Sequence, residues 1–375
     1  MVNFNVPPYV DGEEKNVSES INTHHICGDN TFTKKCEDFF VKKLGCPKFH
    51  LTTSGTTALE MACMLADIKP GDEVIVPSYT FSSTVNAIVL FGGVPVFVDI
   101  KPTDMNIDET KIEAAITDKT KAIMVVHYAG VGCEMDEILK IAKQHNLLVL
   151  EDAAQGVHAS YKEKPLGTIG DIGCFSFHET KNYSMGEGGG IVINNPKFVE
   201  RADIIREKGT NRTQFINGQV DKYTWVDKGS SYLPSDILAA YLWPQLEKFD
   251  EINNDRLNSW KRYYNNLKPL QDQGKLELQP MINEKEYNAH MFYIKAKDLK
   301  EREALQSFLK EKGIGTAFHY IPLHSAPAGK KFCRYVGEDK YTTKEAERLL
   351  RLPMYYHLDP KDIDFVCDSI KEFYK

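Results

Sequence analysis

Between residues 50 and 195, short apolar runs alternate with segments in which hydrophobic positions recur every three to four residues. Short apolar runs are typical of buried strands, whereas the recurring pattern is typical of helices that pack one face on a sheet. Helices are predicted at 57–68 and 135–146. The alternation predicts an α/β domain around a mostly parallel sheet, with strands at 73–78, 95–100, 121–128, 147–152, 173–177 and 189–194.

The pattern changes after Gly209. Residues 210–232 are polar, aromatic and aperiodic, and this segment is too long for an idle connection in a compact domain. We therefore expect it to cover a site or a neighbouring subunit. A long helix at 244–267 is predicted next, followed by strands at 290–297 and 315–320, a helix at 301–313 and two terminal helices. We predict a large α/β domain over residues 1–244, with an N-terminal arm, and a smaller C-terminal α+β domain over residues 245–375.

Composition and charge exclude several classes of function. The chain has 375 residues, 42% of them hydrophobic, which is enough for one large core with a smaller unit beside it. The net charge of -7 comes from interspersed charges, so a nucleic-acid partner is not expected. No secretion signal or membrane span is evident, which predicts a cytoplasmic protein with no membrane partner. The eight cysteines form no C-x-x-C pair, which favours reduced structural thiols over a metal site.

Reactive side chains follow two of the predicted strands. In an open α/β sheet, ligands bind beyond the carboxyl ends of the strands. Asp152 ends the run LLVLED, where a partly buried acid needs a cation or hydrogen bonds, although a helix cap or a structural acid would fit the same pattern. Lys181 follows the strand at 173–177 and precedes the glycine-rich run GEGGG at 186–190. Taken alone, a lysine in a loop is usually an ordinary solvated charge.

A third element is the run TTSGTTALEMA at 52–62, in which Ser-Gly-Thr opens a helix. Gly55 lets the backbone approach a ligand closely, and the free N–H groups of a helix start bind phosphate. An ordinary N-cap at Ser54 or Thr56 explains the same residues. The run lacks the Walker pattern, and GEGGG is no dinucleotide fingerprint because it precedes a strand.

Together these elements meet the needs of pyridoxal 5'-phosphate (PLP), which has an aldehyde, a ring nitrogen and a phosphate. Lys181 can supply an amine for a Schiff base if its pKa is lowered enough to leave the neutral form accessible. Asp152 can pair with the protonated ring nitrogen, and the turn at Gly55 and Thr56 can hold the phosphate. Phe81 can stack on the ring, although ordinary core packing would also account for it.

The chain resembles the DegT/StrS family of sugar aminotransferases, which are fold-type-I PLP enzymes, along nearly its whole length. An ordered set of motifs carries the resemblance. These motifs are SGTTALEMA (54–62), GDEVIVPSYTFSSTVNAI (71–88), LEDAAQG (150–156), GDIGCFSFHETKN (170–182), GEGGG (186–190) and HYIPLH (319–324).

The resemblance implies a role for nine residues. Lys181 would bond the cofactor aldehyde, and Asp152 would pair with the ring nitrogen. The other implied contacts are Gln155 at the ring hydroxyl, Ser176, Gly55 and Thr56 at the phosphate, Phe81 on the ring face, and Tyr320 and His324 on the nucleotide-sugar side. His178 and Tyr183 stay open between a contact with the cofactor or substrate and a structural role in the loop.

The family also builds its sites from two chains, which implies a homodimer with shared active sites. Many relatives place an asparagine from the second subunit on the PLP phosphate, and this asparagine stands just before the segment that corresponds to SDILAA at 235–240. This chain has Leu233 at that point, after Ser230, Ser231 and Tyr232. A serine or a backbone group is therefore left as the candidate for that contact.

Within the family, the runs FHETKNY, REKGTNR, QVDKYTW, HMFYIK and FHYIPLH are most similar to the transaminases that form dTDP-4-amino-4,6-dideoxygalactose. The implied reaction moves an amino group from L-glutamate to C4 of dTDP-4-keto-6-deoxy-D-glucose and releases 2-oxoglutarate. The same constellation would serve another keto sugar, C3 amination, a gluco product or a noncatalytic regulator. Sugar dehydratases of this fold carry histidine in place of Lys181, and a nicotinamide enzyme needs a fingerprint loop that this chain lacks.

Overall fold

The structure is a computed structural model that describes residues 1–281, 283 and 286–375. The helices in this part of the chain are α1 (Glu13–Asn22), α2 (Thr31–Leu44), α3 (Gly55–Leu65), α4 (Ser82–Val89), α5 (Ile112–Ala115), α6 (Met135–Gln144), α7 (Val199–Arg206), α8 (Arg212–Ile216), α9 (Asp236–Glu247), α10 (Phe249–Asp272), α11 (Leu299–Glu311), α12 (Pro327–Phe332), α13 (Thr342–Arg348) and α14 (Pro360–Phe373). The strands are β1 (Lys48–Thr52), β2 (Glu73–Pro77), β3 (Val94–Val98), β4 (Thr120–Val126), β5 (Leu148–Asp152), β6 (Ser160–Tyr161), β7 (Lys164–Pro165), β8 (Ile172–Ser176), β9 (Gly189–Ile193), β10 (Glu277–Leu278), β11 (Phe292–Lys295), β12 (Ala317–Phe318), β13 (Arg334–Tyr335) and β14 (Leu349–Leu352).

An eight-stranded sheet forms the centre of the molecule, in the order β1-β9-β8-β5-β4-β2-β3-β13. Strand β9 is antiparallel to both of its neighbours, and the other pairs are parallel. The strands read as continuous apolar runs because both faces are covered: Val74 and Val76 pack in the core that includes α3, whereas Ile75 packs in the core that includes α6. The predicted α/β class with a mostly parallel sheet is confirmed.

A second sheet of four antiparallel strands, in the order β10-β11-β14-β12, lies in the C-terminal part. Its core includes Trp260 and Tyr263 of α10 and Val366 of α14. The first residues of the chain cross to this unit, because the N–H of Val2 donates to the carbonyl of Gly313 at 2.9 Å. The predicted boundary after residue 244 falls inside α9, and the division into two domains stays a prediction.

Several element boundaries differ from the sequence predictions. The helix predicted at 244–267 is two helices, α9 and α10, which meet at Lys248. Pro244, at which the predicted helix begins, lies in the last turns of α9. The strand predicted at 315–320 spans only two residues, and the four-residue strand β14 separates the two terminal helices.

The segment 210–232 is anchored to its own chain at both ends. Thr210 forms a backbone bridge with Trp225, and the carbonyl of Tyr232 accepts from the N–H of Thr53 at 3.0 Å. Tyr232 is buried in the main core, whereas the Trp225 side chain is 76% exposed. A role for this segment at a subunit interface therefore stays a prediction.

Candidate active site

A cavity of about 510 Å³ opens at the carboxyl ends of β2, β4, β5 and β8. Because these four strands run parallel, the residues that end or follow them reach the same edge of the sheet. The opposite wall comes from the C-terminal unit and from the N-terminal arm. Lining residues from these two sources are Phe4, Asn5, His290, His319, Tyr320 and Arg351.

Eight of the nine predicted site residues line this cavity, namely Lys181, Asp152, Gly55, Thr56, Phe81, Gln155, Ser176 and Tyr320. His324 is not among the lining residues. Its Nδ1 lies 2.8 Å from the hydroxyl oxygen of Ser78, and its Nε2 lies 3.1 Å from a carboxylate oxygen of Asp339. The structure thus does not bring His324 together with the other eight, and its contact with a substrate stays a prediction.

The start of α3 forms an anion cradle. Ser54 is the N-cap and exchanges hydrogen bonds with Thr57, whose backbone N–H donates to the serine hydroxyl at 3.0 Å. The N–H groups of Gly55 and Thr56 belong to the first turn, where backbone donors have no acceptor within the helix. A Cβ on Gly55 would lie 2.8 Å from the Cβ of Ser176, so only glycine lets the two segments come this close. Two backbone donors and the Ser176 hydroxyl therefore face one small space that suits a phosphate.

Asp152 is a buried acid at the end of β5, with 5% of its surface exposed. Its carboxylate accepts from the Thr84 hydroxyl at 2.7 Å and from the N–H of Ala154 at 3.1 Å. Burial raises the pKa of Asp152 against the effect of these two donors and of the Lys181 charge. Among the described residues, no basic side chain forms an ion pair with it, which leaves its free side open to a cationic ligand.

Lys181 lies in the loop between β8 and β9. The N–H of Phe177 donates to the carbonyl of Gly188 at 2.8 Å, and the N–H of Met185 donates to the carbonyl of Phe177 at 2.9 Å. These bonds close the loop and hold the backbone from which the Lys181 side chain extends. Burial lowers the pKa of Lys181 to about 8, against the opposing effect of Asp152 and with a smaller lowering by Arg351. About one lysine in ten is then neutral at pH 7, which makes the amine available as a nucleophile and base.

The structure distinguishes His178 from Tyr183, the two residues near Lys181 whose roles the sequence left undecided. Tyr183 is buried, its hydroxyl donates to the carbonyl of Phe249 at 2.7 Å, and its ring stacks on the Phe249 ring. Tyr183 therefore has a structural role. His178 lines the cavity, with its Nδ1 at 3.0 Å from the Thr180 hydroxyl, and thus remains placed to meet a ligand.

Sequence reasoning missed a cationic group on the C-terminal wall. Arg351 of β14 lies with its Nη1 3.2 Å from the Nε2 of His319, and a guanidinium can only donate. The Nδ1 of His319 is 3.1 Å from the Tyr128 hydroxyl. Among the described residues, the buried Nε of Arg351 has no partner and no carboxylate pairs with the guanidinium. Arg351 therefore brings uncompensated positive charge to the cavity wall. No local sequence signal marks it, because it stands in a short apolar strand.

Three further features concern the described part of the chain. No group of three or more His, Cys, Asp or Glu side chains in it is arranged to hold a metal ion. No helix in it is long and apolar enough to cross a membrane. All eight cysteines are free thiols, and six of them are buried.

Comparison with known proteins gives consistent matches. The DegT/DnrJ/EryC1/StrS aminotransferase family matches residues 9–371. GDP-perosamine synthase from Escherichia coli O157:H7 is 32% identical over 371 residues, which cover 98% of this chain and 97% of that protein. Among solved structures, the aminotransferase TlmJ from Streptoalloteichus hindustanus has a TM-score of 0.90 at 25% identity, over 100% of this chain and 99% of that one. The PLP form of Spr1654 from Streptococcus pneumoniae has a TM-score of 0.88 at 25% identity, over 99% and 98%.

These matches confirm the family resemblance, the fold type and PLP as the cofactor. They also agree with the cavity, where a lysine, a buried acid and an anion cradle converge. This chain therefore belongs to the DegT/DnrJ/EryC1/StrS aminotransferase family and is a PLP-dependent enzyme of the sugar aminotransferase class.

Proposed function

We propose that this enzyme transfers the amino group of L-glutamate to C4 of dTDP-4-keto-6-deoxy-D-glucose, giving dTDP-4-amino-4,6-dideoxy-D-galactose and 2-oxoglutarate. The observation that carries the chemistry is the meeting of Lys181, Asp152 and the Gly55–Thr56 cradle in one cavity. The choice of sugar, carbon and nucleotide is supported by the runs FHETKNY, REKGTNR, QVDKYTW, HMFYIK and FHYIPLH.

The residues present fit PLP. The cradle at Gly55, Thr56 and Ser176 is closed by a glycine whose replacement would fill it, as a phosphate site requires. No basic side chain among the described residues pairs with the buried Asp152, and a protonated ring nitrogen would supply the missing positive charge. Phe81 presents an aromatic ring that is 60% exposed at the cavity, so one face is free for stacking.

The orientation of the Gln155 side-chain amide suits it to bind the ring hydroxyl of PLP. Its Oε1 accepts from the backbone N–H of Ala129 at 2.6 Å, which fixes the opposite end of the amide as the donor. This Nε2 lies 3.2 Å from the Tyr320 hydroxyl, at the cavity wall. Gln155 therefore holds a donor in place for an oxygen of the bound ring, and Tyr320 extends the same polar wall towards the sugar side.

Arg351 supports a carboxylic amino donor. Within the part of the chain that the structure describes, no carboxylate pairs with Arg351, so an anion bound beside it in the cavity would gain charge pairing. A planar guanidinium matches a carboxylate better than it matches a single oxygen, because two N–H groups of one edge donate in parallel. Arg351 and Lys181 line the same cavity, so a glutamate held at Arg351 presents its amino end to the lysine side.

The chain's own residues then perform the proton movements. When bound, PLP supplies an aldehyde that links reversibly to amines and a ring that takes up electron density. The Nζ of Lys181 would remove the proton from the α-carbon of glutamate as general base and then deliver it to the C4′ carbon of the cofactor as general acid. In the second half of the reaction, the same Nζ would take a proton back from the C4′ carbon and deliver it to C4 of the sugar, the carbon that comes to bear the amine. Asp152 holds negative charge at the ring nitrogen throughout, and the two half-reactions predict ping-pong kinetics.

The proposed reaction predicts a defined product. We expect the PLP-loaded enzyme, incubated with dTDP-4-keto-6-deoxy-D-glucose and L-glutamate, to give a 4-amino sugar whose H3–H4 coupling in NMR is small, as the galacto configuration requires. A matched incubation with a GDP-linked 4-keto-6-deoxy sugar tests the nucleotide. A large H3–H4 coupling, an amine at C3 or a faster reaction with the GDP sugar would contradict the proposal while leaving the aminotransferase class intact.

We further propose a homodimer with shared active sites. Phe81 lies at the cavity, and Ile216, Tyr223 and Trp225 of the 210–232 segment each expose more than half of their surface. Apolar side chains exposed in such a group favour a protein partner, and a closed two-fold pair is the commonest assembly of soluble proteins. The second subunit would then bring its 210–232 segment towards the cofactor.

Subunit mixing tests this arrangement. We expect Lys181→Ala subunits and Tyr223→Ala/Trp225→Ala subunits, each inactive as homodimers, to regain activity when dissociated and reassociated together. If each site combines one chain's lysine with its partner's segment, a mixed dimer has one site with both defects and one with neither. A random mixture then recovers about a quarter of the wild-type activity. No recovery from heterodimers verified by mass would show that the sites do not share this segment.

A further inference from the structure

A chain of side-chain amides runs from fixed backbone groups to the cavity wall beside Lys181. It begins at Asn288, whose Nδ2 donates to the carbonyl oxygens of Gln155 and Val157 at 2.7 and 2.8 Å. Because a carbonyl oxygen can only accept, these two bonds decide which end of the Asn288 amide is the nitrogen. The side-chain oxygen of Asn288 accepts from the backbone N–H of His290 at 3.0 Å.

The second amide of the chain is Asn182, the residue after Lys181. Its Nδ2 donates to the backbone carbonyl of Asn288 at 2.8 Å, so its oxygen must be the atom that faces the Nδ1 of His290 at 2.9 Å. An amide oxygen accepts and cannot donate. The His290 proton is therefore on Nδ1, and the amides allow no other neutral tautomer.

The Nε2 of His290 is consequently a lone pair. The ring is 4% exposed and lines the cavity with Lys181, and both residues also line an adjoining void of about 10 Å³. Within the described part of the chain, no donor is bonded to this Nε2. Burial, and then the positive charge of Lys181, holds the pKa of His290 well below its usual range, so the ring stays neutral. The charged and titratable groups that face the ring are Lys181 on the loop after β8, Arg351 on β14, Arg256 on α10 and His319 after β12.

The four neighbours of His290 carry or accept positive charge, so the environment repels an imidazolium. This environment favours an acceptor over an imidazolium, and the group lining the same cavity that gains a proton during the proposed reaction is the Lys181 amine. The lysine stem is flexible and rotates freely once the amine is released. It can therefore turn its Nζ towards the ring without moving the backbone.

We propose that His290 is a positioning residue for Lys181, whose ammonium form donates a hydrogen bond to the His290 Nε2 and is thereby held at the cavity wall between the two proton transfers. The proposal rests on the proposed role of Lys181 as proton carrier. Asn182 serves it by fixing the tautomer, and the backbone carbonyl of Asn288 fixes the Asn182 amide. A ring with its proton on Nε2 would repel the ammonium group instead of accepting from it.

His290→Asn tests this role, because the asparagine amide retains the donor to Asn182 in the place of Nδ1 but has nothing in the place of Nε2. The readout is the pKa of Lys181 in the PLP-free enzyme, measured by competitive acetylation and mass spectrometry of the Lys181 peptide. Loss of an acceptor for the ammonium form lowers this pKa from about 8 in the wild type by roughly one pH unit. His290→Gln, which reaches the place of Nε2 with an amide oxygen, is expected to restore most of the shift.

His145→Asn is the matched control, since His145 lies at the exposed end of α6 and should leave the Lys181 pKa unchanged. An unchanged Lys181 pKa in folded His290→Asn would overturn the proposal. If that variant does not fold, nitrogen-15 NMR of histidine in the wild type decides, because a proton on Nε2 of His290 is incompatible with it. Neither readout involves a sugar, so failure of the proposed substrate would leave both results intact.

Discussion

Lys181→Ala is expected to abolish amino transfer and to remove the absorbance that PLP acquires when it is bonded to the lysine. The variant loses both the amine that bonds the aldehyde and the group that moves the proton. Proton transfer by a positioned side chain alone contributes about 10²–10⁴-fold to a rate, so the product should fall below detection in an assay of ordinary sensitivity. PLP itself should still bind, because the Gly55–Thr56 cradle and Asp152 are untouched.

A matched lysine makes this result specific. Lys197 is exposed and lies over the Phe198 ring, away from the cavity lining, so Lys197→Ala should retain wild-type turnover and spectrum. PLP retained by Lys181→Ala after gel filtration, measured after denaturation, separates loss of chemistry from loss of cofactor. Turnover by Lys181→Ala close to that of Lys197→Ala would show that another residue bonds the cofactor.

Most of the cavity wall on the large sheet could be predicted from sequence because its geometry follows from local pattern. Parallel strands place their carboxyl ends at one edge of the sheet. Asp152 at the end of β5 and Ser176 at the end of β8 therefore lie at the same edge, independently of the conformation of the loops between them. The anion cradle at Gly55 could also be predicted from local sequence, because the free N–H groups at a helix start depend only on the first turn of that helix.

The C-terminal wall could not be predicted in this way. His290 and Arg351 reach the cavity from a separate antiparallel sheet, and their positions depend on how that sheet packs against the first one. Arg351 looks in sequence like an ordinary charge in the run LLRL. His324 is a further case, because it shares the HYIPLH motif with Tyr320 but its ring contacts Ser78 and Asp339 instead of lining the cavity. Its contact with a substrate stays a prediction.

The tautomer of His290 is another feature of the cavity that could not be predicted from sequence. The sequence does not show that His290, Asn182 and Asn288 lie together. The tautomer of His290 follows only from the bond of the Asn182 amide to the backbone carbonyl of Asn288. Such chains of polar groups depend on atoms more than 100 residues apart, as in the bond between Asn182 and Asn288. They are therefore the part of a site that needs three-dimensional structure.

Asp152→Asn is expected to leave the fold intact. The Ala154 N–H can still donate to the amide oxygen, and the amide nitrogen can donate to the Thr84 hydroxyl, which also lies 2.7 Å from the Thr80 hydroxyl. Because burial raises the pKa of Asp152, the ionised acid is disfavoured in the PLP-free fold, and this cost appears as the pH rises through that pKa. Without PLP, the variant should therefore be at least as heat-stable as the wild type at neutral pH.

With PLP bound, the same substitution should slow the glutamate half-reaction by about 10³-fold. A neutral amide cannot balance a protonated ring nitrogen, and removing one partner of a buried ion pair costs about 4 kcal/mol, which corresponds to that factor. Stopped-flow absorbance under single-turnover conditions measures the step directly, and Asp152→Glu serves as the control that keeps the charge but moves it by one methylene. A rate for Asp152→Asn within a few-fold of the wild type would mean that Asp152 does not pair with the ring nitrogen, whatever the fate of the sugar assignment.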